Sequence, residues 1–187
     1  MEIILASKSP RRRELLSEIY SDFKIVTADC DESLEPTVHP REGVALIAKR
    51  KGDAVLSLVP NDALVISSDT LVELDGAALG KPKDEAEAHR MLASLSGRAH
   101  NVHTGIAVHY DGRCVAKTAS TAVYFKTLTD AEIEEYVKSG DPMDKAGAYG
   151  IQSGAGKFVE KIDGDYDTVV GLSVRLLREL IDEVRCD

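Results

Sequence analysis

Four short stretches carry residue types that suit chemistry on a phosphorylated ligand. The first is Lys8-Ser9-Pro10-Arg11-Arg12-Arg13. Cations in the first turn of a helix oppose its macrodipole, so this placement is locally unfavourable. A strand, a short turn and a helix N-terminus with Ser hydroxyls also make a natural anion site, and a bound triphosphate would reverse the penalty. A solvated basic helix face is the equal alternative on this segment alone. The second stretch is Ser67-Ser68-Asp69-Thr70, which follows the apolar Leu64-Val65-Ile66. A carboxylate at the end of such a strand loses hydration unless it is paired or metal-bound. At a cleft rim Asp69 could bind a divalent cation or take a proton from water, and the competing reading is a turn residue accepting backbone N–H groups. Asp31 and Glu32 offer further carboxylates, which alone read as a solvated loop.

The third stretch, Gly80-Lys81-Pro82, lets Pro fix the loop that presents the Lys81 ammonium, although most lysines in such turns are simply exposed. The fourth is Asp144-Lys145-Ala146-Gly147-Ala148-Tyr149-Gly150-Ile151-Gln152. Its small residues permit close backbone approach, and the Gln152 amide both donates and accepts, which suits the edge of a base. A tightly packed loop is the plainer reading. Lys49, Arg50 and Lys51 form another basic group, but in mid-helix such a group is usually surface. Gly154-Ala155-Gly156-Lys157 is not a Walker A loop, because the earlier Gly is missing and Phe158 follows the Lys. His100 and His103, three apart on an expected strand, point to opposite faces and should share no metal.

These stretches need elements to hold them. Residues 3–6 read as a buried strand, and Ser9 as the N-cap of a helix with Pro10 at its first position. Beyond an acidic loop over 29–35, a second helix is expected from about residue 41 towards 58, where Pro60 stops it. Asp75-Gly76 and Asp111-Gly112 are hairpin signals. Asp84 with Glu87 opens a helix closed by Gly97, and Thr129 with Glu132 forms a capping box for another. Long strands are expected over 101–110 and 113–125 and a shorter one over 158–162. Residues 147–156 read as loop with a strand at its edge, and a final helix carries Leu172, Leu176, Leu177, Leu180, Ile181 and Val184. Crossover and hairpin connections together favour an α/β fold with a mixed sheet.

Composition sets outer limits. The 187 residues are 43% hydrophobic and 29% charged, which suits a folded globular chain read as one domain over 1–187. A net charge of −9 argues against a protein that coats nucleic acid, while leaving room for a local basic pocket. Cys30, Cys114 and Cys186 are scattered and odd in number, which points to a reducing cytoplasm rather than a disulfide framework. Residues 1–8 lack a basic leader region, and no apolar run approaches the ~20 residues of a membrane span.

Taken together and in order, the segments resemble the Maf family, also called septum formation proteins. The resemblance rests on residues 5–16, on Ser68-Asp69-Thr70-Leu71-Val72, on Gly80-Lys81-Pro82 and on residues 91–97. It continues through His100-Asn101-Val102-His103-Thr104-Gly105, residues 144–152 and Val169-Val170-Gly171-Leu172. It implies an α/β fold, a mixed sheet with flanking helices in two lobes around a deep cleft, similar to inosine triphosphate pyrophosphatases. It also implies a homodimer and hydrolysis of nucleoside triphosphates to monophosphate and pyrophosphate with a divalent metal cation, Mg²⁺ or Mn²⁺. The run over 144–152 looks like the dTTP/UTP-cleaving branch. Asp69 matches the family's proton acceptor, and Arg11, Thr70 and Gln152 match positions linked to substrate choice. Glu32, Lys51 and Lys81 match further cleft positions, with Glu32 the metal partner of Asp69 and Arg12 assisting the phosphates. On this pattern Ser7, Ser9, Arg11 and Lys81 hold the triphosphate. Ser68 stands where the family usually has Ala, and Ser173 where it has Pro. A non-catalytic nucleotide-binding regulator of septum formation is the competing class.

Overall fold

The structure is a computed structural model describing residues 1–35 and 37–186. Among the described residues seven strands form one mixed sheet. They are β1 (Ile3–Leu5), β2 (Lys24–Ile25), β3 (Leu64–Leu74), β4 (Ala77–Leu79), β5 (Ala99–Tyr110), β6 (Arg113–Phe125) and β7 (Val159–Asp163). The order is β2-β1-β3-β5-β6-β7, with β4 paired to β3 as a hairpin. β1 runs parallel to β2 and β3, and every other pairing is antiparallel. The helices are α1 (Pro10–Ser17), α2 (Pro40–Asp53), α3 (Glu85–Leu95), α4 (Asp130–Lys138), α5 (Tyr166–Val170) and α6 (Val174–Arg185). The expected mixed α/β architecture therefore stands. Among the described residues no helix is long and apolar enough to cross a membrane.

Local signals set many of the boundaries. Ser9 caps α1 with Pro10 directly after it, and Thr129 and Glu132 close the reciprocal box of α4. Both hairpins turn in two residues with positive φ: Asp75 and Gly76 at 52° and 82°, Asp111 and Gly112 at 48° and 74°. Such turns match the right-handed twist of the flanking strands. Asp84 caps α3 by accepting from the Glu87 N–H, but the Glu87 carboxylate reaches back to the N–H of Lys83.

Several expectations are corrected. The strand read over 64–66 runs on to Leu74, so Asp69 sits mid-strand rather than at a strand end. The polar residues of β3 find partners across the fold, which removes any need for the strand to break. Ser67 donates to the carbonyl of Ala48 and Ser68 to that of Gly171. The second helix stops at Asp53, and a 3₁₀ turn over Leu56–Leu58 follows; Gly52 lowers helix propensity there. Residues 147–156 form loop and parts of two short 3₁₀ turns, and the next strand, β7, begins at Val159. β2 and α5 had no periodic signal, being two and five residues long.

The apolar core has two main clusters, and the long strands feed both. Leu64 and Ile66 of β3 and Ile106 and Val108 of β5 join Leu5, Leu16 and Leu177 in the first. Further along the same strands, Val72, Leu74 and Val102 join Leu92, Leu95, Phe125 and Phe158 in the second. Asp69 and Thr70 lie on β3 between the two clusters, where packing gives way to a cleft.

Candidate active site

The cleft has a volume of about 880 Å³, within the range of pockets that hold small molecules. The first lobe contributes the end of β1, the start of α1 and the acidic loop. The second contributes Gly80, Lys81 and residues of the 144–152 run. All ten residues singled out from sequence line it: Ser7, Ser9, Arg11, Arg12, Glu32, Lys51, Asp69, Thr70, Lys81 and Gln152. Its cations are Lys8, Arg11, Arg12, Lys51, Lys81 and Lys145, against the carboxylates Asp29, Glu32, Asp69 and Asp144. Six minus four leaves the cleft at +2 in a chain of net charge −9. A concave positive surface focuses the field and draws in anions.

At the β1–α1 junction, Ser7 is buried and its Oγ accepts from the Ser9 N–H at 3.2 Å and from Arg12 Nη1 at 3.3 Å. Arg12 also donates from Nε to the Gly171 carbonyl at 3.0 Å and from Nη2 to Thr70 Oγ1 at 3.2 Å. Burial lowers its pKa, and the charge of Asp69 works against that shift. Three of five guanidinium N–H groups are thus spent inside the protein, and two remain for a ligand. Thr104 donates to the Thr168 carbonyl at 2.7 Å, so the 2.9 Å contact between Thr104 and Thr70 must use the Thr70 proton. With its proton given to Thr104 and one lone pair given to Arg12, Thr70 offers the cleft only a single acceptor site. Arg12 therefore ties α1 to Thr70 of β3 and to the Gly171 carbonyl at the end of α5.

Asp69 and Glu32 are bridged by one ammonium. Lys51 Nζ lies 2.5 Å from Asp69 Oδ1 and 2.9 Å from Glu32 Oε2. The neighbouring cations of α2 have other tasks. Arg50 donates to the Ser33 carbonyl at 2.7 Å and so holds the loop that carries Glu32, while Lys49 pairs with Asp53 at 2.7 Å. Surface placement thus holds for Lys49, whereas Lys51 turns inward with a side chain 17% exposed. α2 reaches this position because Gly52 and Gly105 carry no side chain. A Cβ on Gly105 would stand 2.3 Å from the carbonyl oxygen of Val44.

Across the cleft, Lys81 is exposed on the loop after β4, and that loop is pinned by the Gly147 N–H donating to the Gly80 carbonyl at 3.0 Å. Gln152 is likewise exposed at the cleft wall. Sequence reasoning gave no role to Lys145, yet the structure buries it. Its ammonium donates to the Asp141 carbonyl at 2.6 Å, to Asp141 Oδ1 at 2.9 Å and to Asp144 Oδ1 at 2.7 Å. All three donors are consumed, so Lys145 shapes the loop that presents Gln152. The Asp141/Lys145 spacing of four was the one available signal. Burial raises the pKa of Asp141, but hydrogen bonds from Ser153, Tyr136 and Lys145 outweigh it and hold the carboxyl below its ordinary range.

His100 and His103 have separate partners, as their spacing implied. His100 bonds to the Tyr149 hydroxyl at 2.8 Å, while His103 lies between Glu73 at 2.6 Å and Ser120 at 2.7 Å. Among the described residues no three His, Cys, Asp or Glu side chains converge as a metal cage. Asp69 and Glu32 are a donor set of another kind. Mg²⁺ is commonly held by one or two carboxylates, with phosphate oxygens and water completing its shell. Two carboxylates facing a positive cleft fit that pattern.

Comparison with known proteins agrees with this geometry. Residues 2–184 match the family described as Maf-like protein. The chain is 48% identical over 185 residues to a dTTP/UTP pyrophosphatase of Thermococcus gammatolerans, covering 97% of this chain and 98% of that one. It is 44% identical over 191 residues to a dTTP/UTP pyrophosphatase of Clostridium novyi, covering 98% of both. Among solved structures, a Ham1 protein of Staphylococcus aureus superposes with a TM-score of 0.56 at 14% identity, over 98% of this chain and 99% of that one. A HAM1 protein from Coxiella burnetii gives 0.51 at 16% identity, with the same coverage. These two share the fold.

Proposed function

Since this chain belongs to the Maf family, we propose that it is a nucleoside triphosphate pyrophosphatase, hydrolysing dTTP and UTP to the monophosphate and pyrophosphate. The observation that carries this reading is the +2 cleft of a −9 chain, lined by Asp69 and by the start of α1. Names of relatives at 44–48% identity over nearly their whole length support the choice of dTTP and UTP.

In this mechanism the Ser7 and Ser9 hydroxyls, the Arg11 N–H at the start of α1, and the Arg11 and Lys81 side chains hold the triphosphate. A divalent cation held by Asp69 and Glu32, Mg²⁺ or Mn²⁺, supplies charge neutralisation on the phosphates when bound. Asp69 orients a water molecule and takes its proton as the water oxygen bonds to the α-phosphorus. The bond from the α-phosphorus to its bridging oxygen breaks, and pyrophosphate leaves with the electron pair. Arg11 and Lys81 stabilise the charge that develops on the leaving oxygens. Gln152 pairs with the pyrimidine edge, with Thr70 beside it as an acceptor. Lys145 and Arg12 act as positioning residues, setting the loop that bears Gln152 and the start of α1.

The chain acts as one domain and, following the family resemblance, as a homodimer. Its negative charge speaks against a nucleic-acid partner, and three free cysteines suit the cytoplasm. The test is a panel of common and modified nucleoside triphosphates with Mg²⁺ or Mn²⁺, scored for pyrophosphate against orthophosphate. Pyrophosphate from dTTP and UTP, lost on chelation of the metal, is the expected result. Nucleotide binding without turnover would favour the regulatory reading instead.

A further inference from the structure

Lys51 occupies the space between the two carboxylates that would hold a divalent cation. Its ammonium lies between Asp69 Oδ1 and Glu32 Oε2, at 2.5 and 2.9 Å. Among the described residues it is the only cation within ion-pair distance of either carboxylate. Two cations competing for one carboxylate pair repel each other strongly at such short range. A lysine is also a compact charge on a flexible four-carbon stem, so its head can move while its backbone stays fixed. Phosphate oxygens bound by Arg11 and Lys81 would enter the same cleft and offer the ammonium another anion.

We propose that Lys51 is a displaceable counter-cation. In the free protein it fills the space between Asp69 and Glu32 and keeps divalent cations out. An arriving triphosphate draws it off, so that metal enters with substrate and seldom without it. The inference rests on the pyrophosphatase reading for the identity of the anion, while its metal arm is read without any nucleotide. Metal and nucleotide then bind with positive coupling, and by linkage each tightens the other equally. Between turnovers Lys51 also keeps the Asp69 carboxylate paired and tethers the loop that carries Glu32.

The experiment uses the whole chain with Lys51→Met, and Lys51→Gln as a second variant should the first fold poorly. Mn²⁺ binding without nucleotide is followed by electron paramagnetic resonance. Binding of the α,β-methylene analogue of UTP is followed separately by calorimetry with excess chelator. The expected signature has opposite signs: Mn²⁺ binds more tightly by about tenfold or more as the competing charge is removed, and the metal-free analogue binds more weakly by about fivefold as an ammonium–phosphate contact is lost. Lys51→Arg, which keeps the charge, stays near wild type for Mn²⁺. Unchanged or weaker Mn²⁺ binding in the variants would overturn the proposal, and so would tighter binding of both ligands. Failure of the enzymatic reading looks different, because it removes pyrophosphate release and leaves the Mn²⁺ result standing.

Discussion

Gly105 is where the fold and the candidate site depend most directly on one atom. A Cβ added there would meet the Val44 carbonyl oxygen at 2.3 Å, its carbon at 2.5 Å and the Ala45 nitrogen at 2.6 Å. All three belong to the backbone of α2, so no side chain can swing aside. Restoring ordinary contact at 3.4 Å requires α2 to lift off the sheet by about 1 Å. Overpacking of this kind costs about 1–3 kcal/mol. For a chain of this size that is a Tm lower by roughly 2–12 °C. The same shift moves Lys51, two helical turns along α2, away from Asp69. A misplacement of about 1 Å in such a constellation can cost up to about a hundredfold in rate. Gly105→Ala is therefore expected to lower both Tm and kcat/KM for UTP, measured by thermal unfolding and pyrophosphate release. Gly80→Ala, with open space around the added methyl, serves as the stability control. If Gly105→Ala melted within 1–2 °C of wild type, roughly the effect of half a kcal/mol, with kcat/KM intact, then α2 would not be seated as described.

Three further outcomes are expected. Burial pushes the His100 pKa down to about 4, so the folded protein binds this proton less readily than the unfolded chain. The stability it confers is present above pH about 6.5 and falls as pH drops towards about 4, by about 3 kcal/mol in all; denaturant titrations across that window should show a shallower slope in His100→Gln than in wild type. The buried His103 and His109 still contribute to both, and equal slopes would refute the assignment. Lys145→Met leaves Asp141 and Asp144 without their cation and loosens the loop that bears Gln152, so KM for UTP should rise several-fold while kcat changes less, as steady-state kinetics would show. Gln152→Ala should erase about a tenfold preference in kcat/KM for UTP over CTP, the equivalent of about 1.4 kcal/mol, and a ratio unchanged from wild type would remove Gln152 from base recognition.

What could be read from sequence was local. Ser9 with Pro10, Thr129 with Glu132 and the two Asp-Gly turns act within four residues, so their types alone fix their conformations. The candidate site was legible as a set of residues, because charge in unexpected places marks a pocket even when its geometry is hidden. That geometry is non-local. The partner of Asp69 lies 18 positions back at Lys51, and Arg12 reaches the Gly171 carbonyl 159 positions on. Such pairings carry no periodicity, which is why Asp69 read as the end of a strand when Ser67 and Ser68 have hydrogen-bond acceptors waiting on α2 and before α6. Lys145 escaped notice for the same reason: a lysine bound to two nearby aspartates looks like surface until its burial is seen.

In the proposed reaction water attacks the α-phosphorus from the side of Asp69. Single-turnover hydrolysis of UTP in ¹⁸O-labelled water, with both products examined by mass spectrometry, tests it most directly. Attack at the α-phosphorus puts the label in UMP and none in pyrophosphate, and Asp69→Asn loses turnover. Label appearing in pyrophosphate would place the attack on the β-phosphorus and contradict the proposed reaction.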